Sequence, residues 1–424
     1  MTLAAQAACQ RPPKAVGRAA PHPAVVGKRR ATALAALLAG AWAGAMLAPS
    51  ARASEPPATA PTAPTPAPWQ LAGTYKADWL HASAPRLHTA LGNGVLRLDV
   101  DAAALLGWPG TQLHTELLLN DGGKPNRRVG TVQGISNIEV TRNAVQWYAT
   151  WIAFDVPATG THLLFGLFDL NSEFYATDAS ALLIHPSFGI GIDASQSGRN
   201  GPSIFPNLGL SLRLRQPLGD GHYLQAALID GVPGDPDRPG RTVVHLRHND
   251  GALGVAEAGW QAPGGGGPGH WGVGVWQYSQ RSPAIDGASP ARSHGVYGIA
   301  QGALFAQTVA FVRAGGASRQ AGAVALALAA GVLVAQPLGP GGPSHFTAGV
   351  AMARFGAAQQ SAWAALGRML AAHETALELG LRWQWRPGLA VQPLVQHVWH
   401  PGGRTGRVWV SGLRIESAWG ADAP

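Results

Sequence analysis

Residues 377–386 alternate without interruption. Leu377, Leu379, Leu381, Trp383 and Trp385 share one parity, and Glu378, Arg382, Gln384 and Arg386 hold the other. Side chains repeat every two residues only in extended chain, so this spacing constrains the segment to a strand with one apolar and one polar face. The pattern recurs. Leu96, Leu98 and Val100 oppose Arg97, Asp99 and Asp101. Leu113, Leu117 and Leu119 oppose Gln112, His114, Glu116 and Asn120. Leu208, Leu210, Leu212 and Leu214 oppose Ser211, Arg213 and Arg215, and Trp409, Leu413, Ile415 and Trp419 oppose Arg414 and Glu416.

Turn residues separate these runs. Gly92-Asn93-Gly94, Asn120 to Gly123, Gly219-Asp220-Gly221, Asn249-Asp250-Gly251 and Arg386-Pro387-Gly388 all suit tight reversals. The run Leu214–Leu224 and the pair flanking Asn249-Asp250-Gly251 read as hairpins. Gly (56) and Pro (33) are abundant, and both are costly inside helices. Only Gln359 to Leu370 has helical composition, and an apolar strand is equally tenable there. Segments 145–154 and 323–335 are apolar on both faces and do not declare a period.

An all-β chain of this kind is either a soluble sandwich or propeller, or a membrane barrel. Water-facing strands need charge, yet only 13% of this chain is charged, against about 25% for an ordinary soluble domain. The body after residue 53 has two lysines, Lys76 and Lys124. It has 14 tryptophans, among them Trp147, Trp151, Trp260, Trp271, Trp276, Trp383, Trp385, Trp399, Trp409 and Trp419, which fall near the ends of the alternating runs. Any one of them fits ordinary core packing. Repeated across strands, they fit a membrane–water boundary, where an apolar ring with a polar N–H is at home. The longest apolar stretch of the body, Ala321 to Ala335, is shorter than the roughly twenty residues a spanning helix needs. A transmembrane antiparallel β-barrel with an apolar exterior and a wet lumen is therefore expected. The 356 residues from Trp69 to Pro424 make about 16 strands at roughly 22 residues per strand and connection. A barrel of that size leaves an aqueous channel, which implies passage of small hydrophilic solutes.

The chain begins differently. Lys28-Arg29-Arg30, an apolar run from Ala31 to Ala48 and Ala51-Arg52-Ala53 follow the order of a secretory signal peptide, expected over 1–53. Residues 54–68 hold six prolines in fifteen positions and read as a disordered spacer. The barrel is assigned to 69–424. Seven of the 31 Lys and Arg lie in 1–53 with no acid, which leaves 24 bases against 23 acids in the body. So balanced a body has no electrostatic footprint for nucleic acid. The single Cys9 lies in the leader, so the body has no disulfide, no thiol nucleophile and no cysteine metal site.

Between Gly73 and Leu113 the sequence reads G-T-Y-x-A-D-W and then G-N-G-V-L-R-L-D-V-D-A-A-A-L-L-G-W-P-G-T-Q-L. Gly134 to Glu139, Phe165 to Phe174, Ser187-Phe188-Gly189, Phe205-Pro206-Asn207 and Ile229 to Gly234 follow in order. Near the C-terminus come Glu374 to Trp385, Val391 to His397 and His400-Pro401-Gly402-Gly403. This ordered set resembles the carbohydrate-selective outer-membrane porin family (OprB-type). The glycine-rich stretch 262–345 matches only loosely. The resemblance implies a sixteen-stranded barrel in a Gram-negative outer membrane and diffusion of sugars, with a preference for monosaccharides such as glucose.

A sugar presents hydroxyls at its edge and C–H groups on its faces, so a selective lumen needs polar forks and aromatic surfaces. Asp169, Asn171 and Glu173 alternate next to Phe168 and Phe174, and are expected on one face of the lumen. Asn137, Glu139 and Arg142 belong to the preceding motif. Arg213 and Arg215 oppose a leucine face. These eight are the candidate pore-lining residues, against the plainer reading that they hydrate the wall or form structural ion pairs. The expected partners are small sugars and outer-membrane lipid, with no cofactor or metal. No GxSxG elbow or HExxH motif is present, so enzyme activity is not expected. The competing readings are a secreted carbohydrate-binding β-protein and an outer-membrane hydrolase with a scattered Ser/His/acid site.

Overall fold

The computed structural model describes residues 67–420 apart from 264–266, 286, 288, 319–321 and 339–340. The expected leader, all but the end of the spacer, and Gly264 to Gly266 lie outside the described residues. Sixteen strands follow one another: β1 (Trp69–Ser83), β2 (Arg86–Asp101), β3 (Thr111–Gly122), β4 (Ala144–Val156), β5 (Thr161–Phe168), β6 (Gly209–Gly219), β7 (His222–Asp230) and β8 (Ala252–Gln261). They continue as β9 (His270–Ser282), β10 (Ala291–Phe305), β11 (Thr308–Ala317), β12 (Val324–Gln336), β13 (Ser344–Phe355), β14 (His373–Arg386), β15 (Leu389–Trp399) and β16 (Arg407–Trp419). Each pairs antiparallel with its sequence neighbours, and β1 pairs with β16 from Gly73↔Trp419 to Ala82↔Val410, closing the barrel. Closure leaves no strand edge with unpaired backbone, which a lipid environment requires. No helix among the described residues is long and apolar enough to cross a membrane.

An even number of strands puts both chain ends on one side, here called the terminal end. Connections there are short, such as 220–221, 306–307 and 387–388. The three longest connections, 123–143, 169–208 and 231–251, all leave from the opposite, loop end. In outer-membrane barrels short turns face the periplasm and long loops the outside.

The outer wall is apolar, as the alternation predicts. Leu212, Leu228, Val273, Val296, Val312 and Val350 are exposed there, whereas Asp78, Glu374 and Glu378 on the inner face are fully buried. This outer surface does not suit a protein dissolved in water, which removes the secreted-protein reading. Trp69, Trp260, Trp271, Trp383, Trp385 and Trp419 stand on the outer face near the terminal end, and Trp79, Trp147, Trp399 and Trp409 near the loop end. Two aromatic girdles thus bound the apolar band. Two tryptophans depart from that expectation. Trp151 pairs in register with His114 on the inner face and stacks on its ring. Trp276 is buried inside the barrel among Tyr278, Tyr297 and Val255.

Local turn chemistry misleads at two places. Gly92-Asn93-Gly94 is no reversal but the middle of β2. Asn93 points inward and donates to Asn120 at 2.9 Å. The glycines beside it make room for a ring, since a Cβ on Gly92 would stand 2.6 Å from the Tyr75 hydroxyl. Asn249-Asp250-Gly251 does not join two strands directly. It ends the long 231–251 connection, although β7 and β8 do pair. The Leu214–Leu224 hairpin is present, turning at Asp220-Gly221. Segments 145–154 and 323–335 are strands, and the ambiguous 359–370 stretch holds a helix, Ala357–Ala365. Leu208 lies one residue before β6 and is buried with Leu118 and Tyr148.

The inner face is not polar throughout. Toward the loop end, Leu80, Ala82, Leu87 and Leu91 pack with Val129, Ile135 and Ile138 of the 123–143 segment. On the far side, Ala227, Ile229, Leu253 and Val255 pack with Leu170, Phe174, Tyr175 and Ile190 of the 169–208 segment. Both long segments therefore fold into the barrel and cover an apolar belt of its inner wall.

Candidate functional site

The inward segments are fixed by polar groups of the wall. Glu374 on β14 accepts the backbone N–H of Val132 at 2.8 Å and of Gln133 at 2.9 Å. Two repeats of the pleat further, Glu378 accepts the N–H groups of Ile184 and His185, both at 2.7 Å. Gln396 on β15 donates to Glu378 and to the carbonyl of Ile135. Arg313 on β11 donates to the carbonyls of Phe188 and Gly189 at 2.6 Å and of Ser187 at 3.0 Å. On β8, Glu257 accepts the N–H of Tyr175 and the hydroxyls of Tyr223 and Tyr297. A carboxylate suits a pair of backbone donors and a guanidinium suits a cluster of carbonyls, because each satisfies several buried groups at once. These residues hold the constriction. Their polarity is visible in the sequence of β14, but their partners lie as far as 242 residues away.

Between the inward segments and the terminal end the wall is polar and charged. On β2 and β3, Arg97 Nε stands 2.8 Å from Asp99, and Asp99 stands 2.7 Å from His114 Nδ1. Glu116 lies 3.4 Å from the other ring nitrogen of His114, whose flat face stacks on Trp151 with 4.5 Å between centroids. On β6 and β7, Arg215 lies 4.0 Å over the Tyr223 ring and donates to Gln225 at 2.9 Å. Tyr223 also meets His270 Nε2 at 2.8 Å. On the seam side, Glu416 lies between Lys76 at 4.0 Å and Arg382 at 3.9 Å. Acids and bases thus surround the lumen, backed by the rings of Trp151 and Tyr223.

The eight sequence candidates divide. Glu173, Arg213 and Arg215 come together: Arg213 Nη2 donates to Glu173 at 2.6 Å, and Arg215 faces inward on the same strand. Asn137 accepts from Arg414 at 2.8 Å and donates its backbone N–H to Ile184, tying the two inward segments to each other and to β16. Glu139 accepts the N–H groups of Asn126 and Arg127 at the start of a short helix, Pro125–Val129. Burial pushes its carboxyl up to about 7, against the pull of those two donors. Arg142 is exposed at the mouth, near Asn207 and Gly240.

Asp169, Asn171 and Glu173 do not share one face of a strand. β5 ends at Phe168, and Leu170–Ser172 is a 3-10 turn capped by Asp169, which accepts the Asn171 N–H at 2.9 Å. Asp169 also accepts the Tyr148 hydroxyl, and burial raises its carboxyl to about 6. Asn171 donates to the carbonyl of Gly189 at 3.1 Å, across the inward segment. An aspartate two residues before a polar residue fits a cap as well as a strand, and here the cap prevails.

A closed barrel with an apolar outer wall, two aromatic girdles, a charged lumen and loops folded inside defines an outer-membrane porin. The family model for carbohydrate-selective porins, OprB family, matches residues 88–418, and the chain belongs to that family. Among solved structures, the high-pH structure of Pseudomonas putida OprB matches with a TM-score of 0.70 at 15% identity, covering 83% of this chain and 94% of that one. The outer membrane channel DcaP of Acinetobacter baumannii matches with a TM-score of 0.53 at 10% identity, covering 83% and 97%. At these identities the likeness is one of fold. No curated protein matches this chain in sequence. The protein is an outer-membrane sugar porin.

Proposed function

We propose that the lumen between the pinned inward segments and the terminal end selects small neutral sugars, monosaccharides such as glucose. The observation that carries this is the pairing of planar rings with charged forks at one level. Trp151, half-buried, offers ring surface for the C–H face of a sugar, while Tyr223, buried beneath Arg215, backs that guanidinium. Arg97, Asp99, Glu116 and Arg215 offer donors and acceptors for its hydroxyl edge. Because both signs of charge line the walls, a neutral polar solute gains hydrogen bonds, whereas an ion of either sign meets repulsion somewhere along the path.

Of the sequence candidates, Glu173, Arg213 and Arg215 are assigned to the path and Arg142 to its outer mouth. Asn137, Glu139, Asp169 and Asn171 act on it indirectly, by shaping the segments that narrow it. Residues 1–53 are read as the export signal and 54–68 as a spacer, consistent with delivery to the outer membrane. Swelling of proteoliposomes in iso-osmotic sugars tests the reading. Glucose should enter faster than a disaccharide, and rates set by molecular size alone, equal for a sugar and a polyol of the same mass, would sink the selectivity claim.

A further inference from the structure

The loop-end rim of the outer wall carries arginines on three of six neighbouring strands, with histidines on the strands between and no acid. On β13, Arg354 points outward, since Ala353 and Phe355 on either side are buried inside the barrel. In register with it on β14 stands His373, whose ring meets that of His400 at 5.3 Å. Arg407 opens β16 opposite Trp399. Two positions on, Trp409 stacks on His397 with 4.1 Å between centroids and 17° between planes. Across the seam, His81 on β1 stacks on His88 of β2 at 4.3 Å, and Arg86 follows the turn between these strands. The outward positions of β13–β16, β1 and β2 at this end contain no acid. At the terminal end the same strands present mainly Trp69, Leu71, Trp383, Trp385 and Trp419.

A second observation points to a ligand. His81 Nδ1, His397 Nε2 and His400 Nδ1 are buried without a hydrogen-bond partner among the described residues. His397 is only 6% exposed, between the rings of Trp399 and Trp409. A buried polar nitrogen left unpaired costs free energy, and three of them on one rim mark groups shaped to meet something else. The loop end faces outside, the tryptophan girdle sets the headgroup level, and arginine forks match phosphate oxygens.

We propose that this rim binds the phosphate groups of an anionic lipid in the outer leaflet. Arg86, Arg354 and Arg407 supply the fixed charge, and the histidines supply ring nitrogens that lack partners within the protein. Lipid held here would brace β16 against β1, where the barrel closes.

The test uses the full-length protein, refolded in zwitterionic detergent, and native mass spectrometry with bis-phosphorylated lipid A or the same lipid after phosphatase treatment. The phosphorylated lipid should remain bound and the dephosphorylated one should not. The combined variant Arg86→Gln, Arg354→Gln, Arg407→Gln should retain on the order of a hundredfold less, following from the attraction of each base to an anionic surface. Arg386→Gln at the terminal end should retain as much as the parent. If the combined variant does not refold, Arg407→Gln alone carries the test, with a loss of about fivefold. Equal retention of both lipids, or undiminished retention by the arginine variants, overturns the proposal. So does displacement of the lipid by inorganic phosphate alone, which would mark a free-anion site. A second copy seated on the rim in place of lipid overturns it as well.

Discussion

Arg414 on the last strand grips Asp78 on the first with both arms of its fork: Nε to Oδ1 at 2.6 Å and Nη2 to Oδ2 at 2.8 Å. The pair sits in the register that closes the barrel, Asp78↔Arg414, with Asp78 fully buried and Arg414 5% exposed. Ser136 donates to the same carboxylate, so closure and the placement of the 123–143 segment share one buried charge pair. Breaking such a pair by removing one partner leaves the other charge buried and unmatched, at a cost of about 3–5 kcal/mol. Asp78→Ala should lower the unfolding free energy by that amount, read from the fall in denaturant midpoint. The double replacement Asp78→Leu, Arg414→Met should recover most of it. An unchanged midpoint for the single variant would show that the pair is solvated.

Glu378→Ala should both destabilise and widen the channel. It strips two buried N–H groups, those of Ile184 and His185, of their acceptor, at about 1–3 kcal/mol each. Freed from β14, the 169–208 segment should narrow the lumen less, and single-channel conductance should rise. A conductance equal to that of the parent would show that the hydrophobic contacts of Phe174, Tyr175 and Ile190 hold the segment unaided.

Gly349→Val is expected to act on the same segment from β13. A Cβ there stands 2.7 Å from the ring of Phe188 and 3.0 Å from Leu183. Overpacking of this kind costs about 1–3 kcal/mol and should displace the 3-10 turn Pro186–Phe188. Thermal unfolding and the conductance histogram read the two effects separately.

Arg215→Ala should weaken sugar block of the channel by about two- to tenfold, the loss of one hydrogen bond in a wet site, while the barrel folds normally. Arg142→Ala, at the mouth, should shift ion selectivity and leave block by sugar nearly unchanged. If neither variant alters block or selectivity, these arginines do not border the path.

The packing of the 123–143 segment should depend on pH through Glu139. Burial raises its carboxyl from 4.5 to about 7 in the folded chain, so the fold favours the protonated form. Its contribution to stability is therefore fully present below the unfolded value and is lost as pH rises through about 7. Protease cleavage within 123–143 should become faster from pH 5 to pH 8 in the parent and nearly pH-independent in Glu139→Gln. The same slope in both proteins would assign the effect to another group.

The strands were legible because their outer faces answer to lipid along their whole length. Leu377 to Trp385, Leu96 to Val100 and Leu113 to Leu119 show the correct outward parity from sequence alone, and the chain length yields the correct strand number. The interior was less legible, because what an inward side chain meets depends on segments far away in sequence. Leu80 and Leu91 face inward against Ile135 and Ile138, which no local period reveals. Trp151 and Trp276 resemble girdle residues in sequence and lie inside. Asp169-x-Asn171-x-Glu173 keeps the spacing of a strand while the aspartate caps a turn. Gly92 and Gly94 carry turn chemistry, but they make room for the Tyr75 ring on the neighbouring strand.

The most direct test of sugar passage is single-channel recording in a planar bilayer with glucose added to one side. Stepwise openings whose current falls saturably as glucose rises, and recovers when glucose is removed, are the predicted result. Openings indifferent to glucose, or a bilayer left silent by correctly folded protein, would contradict it.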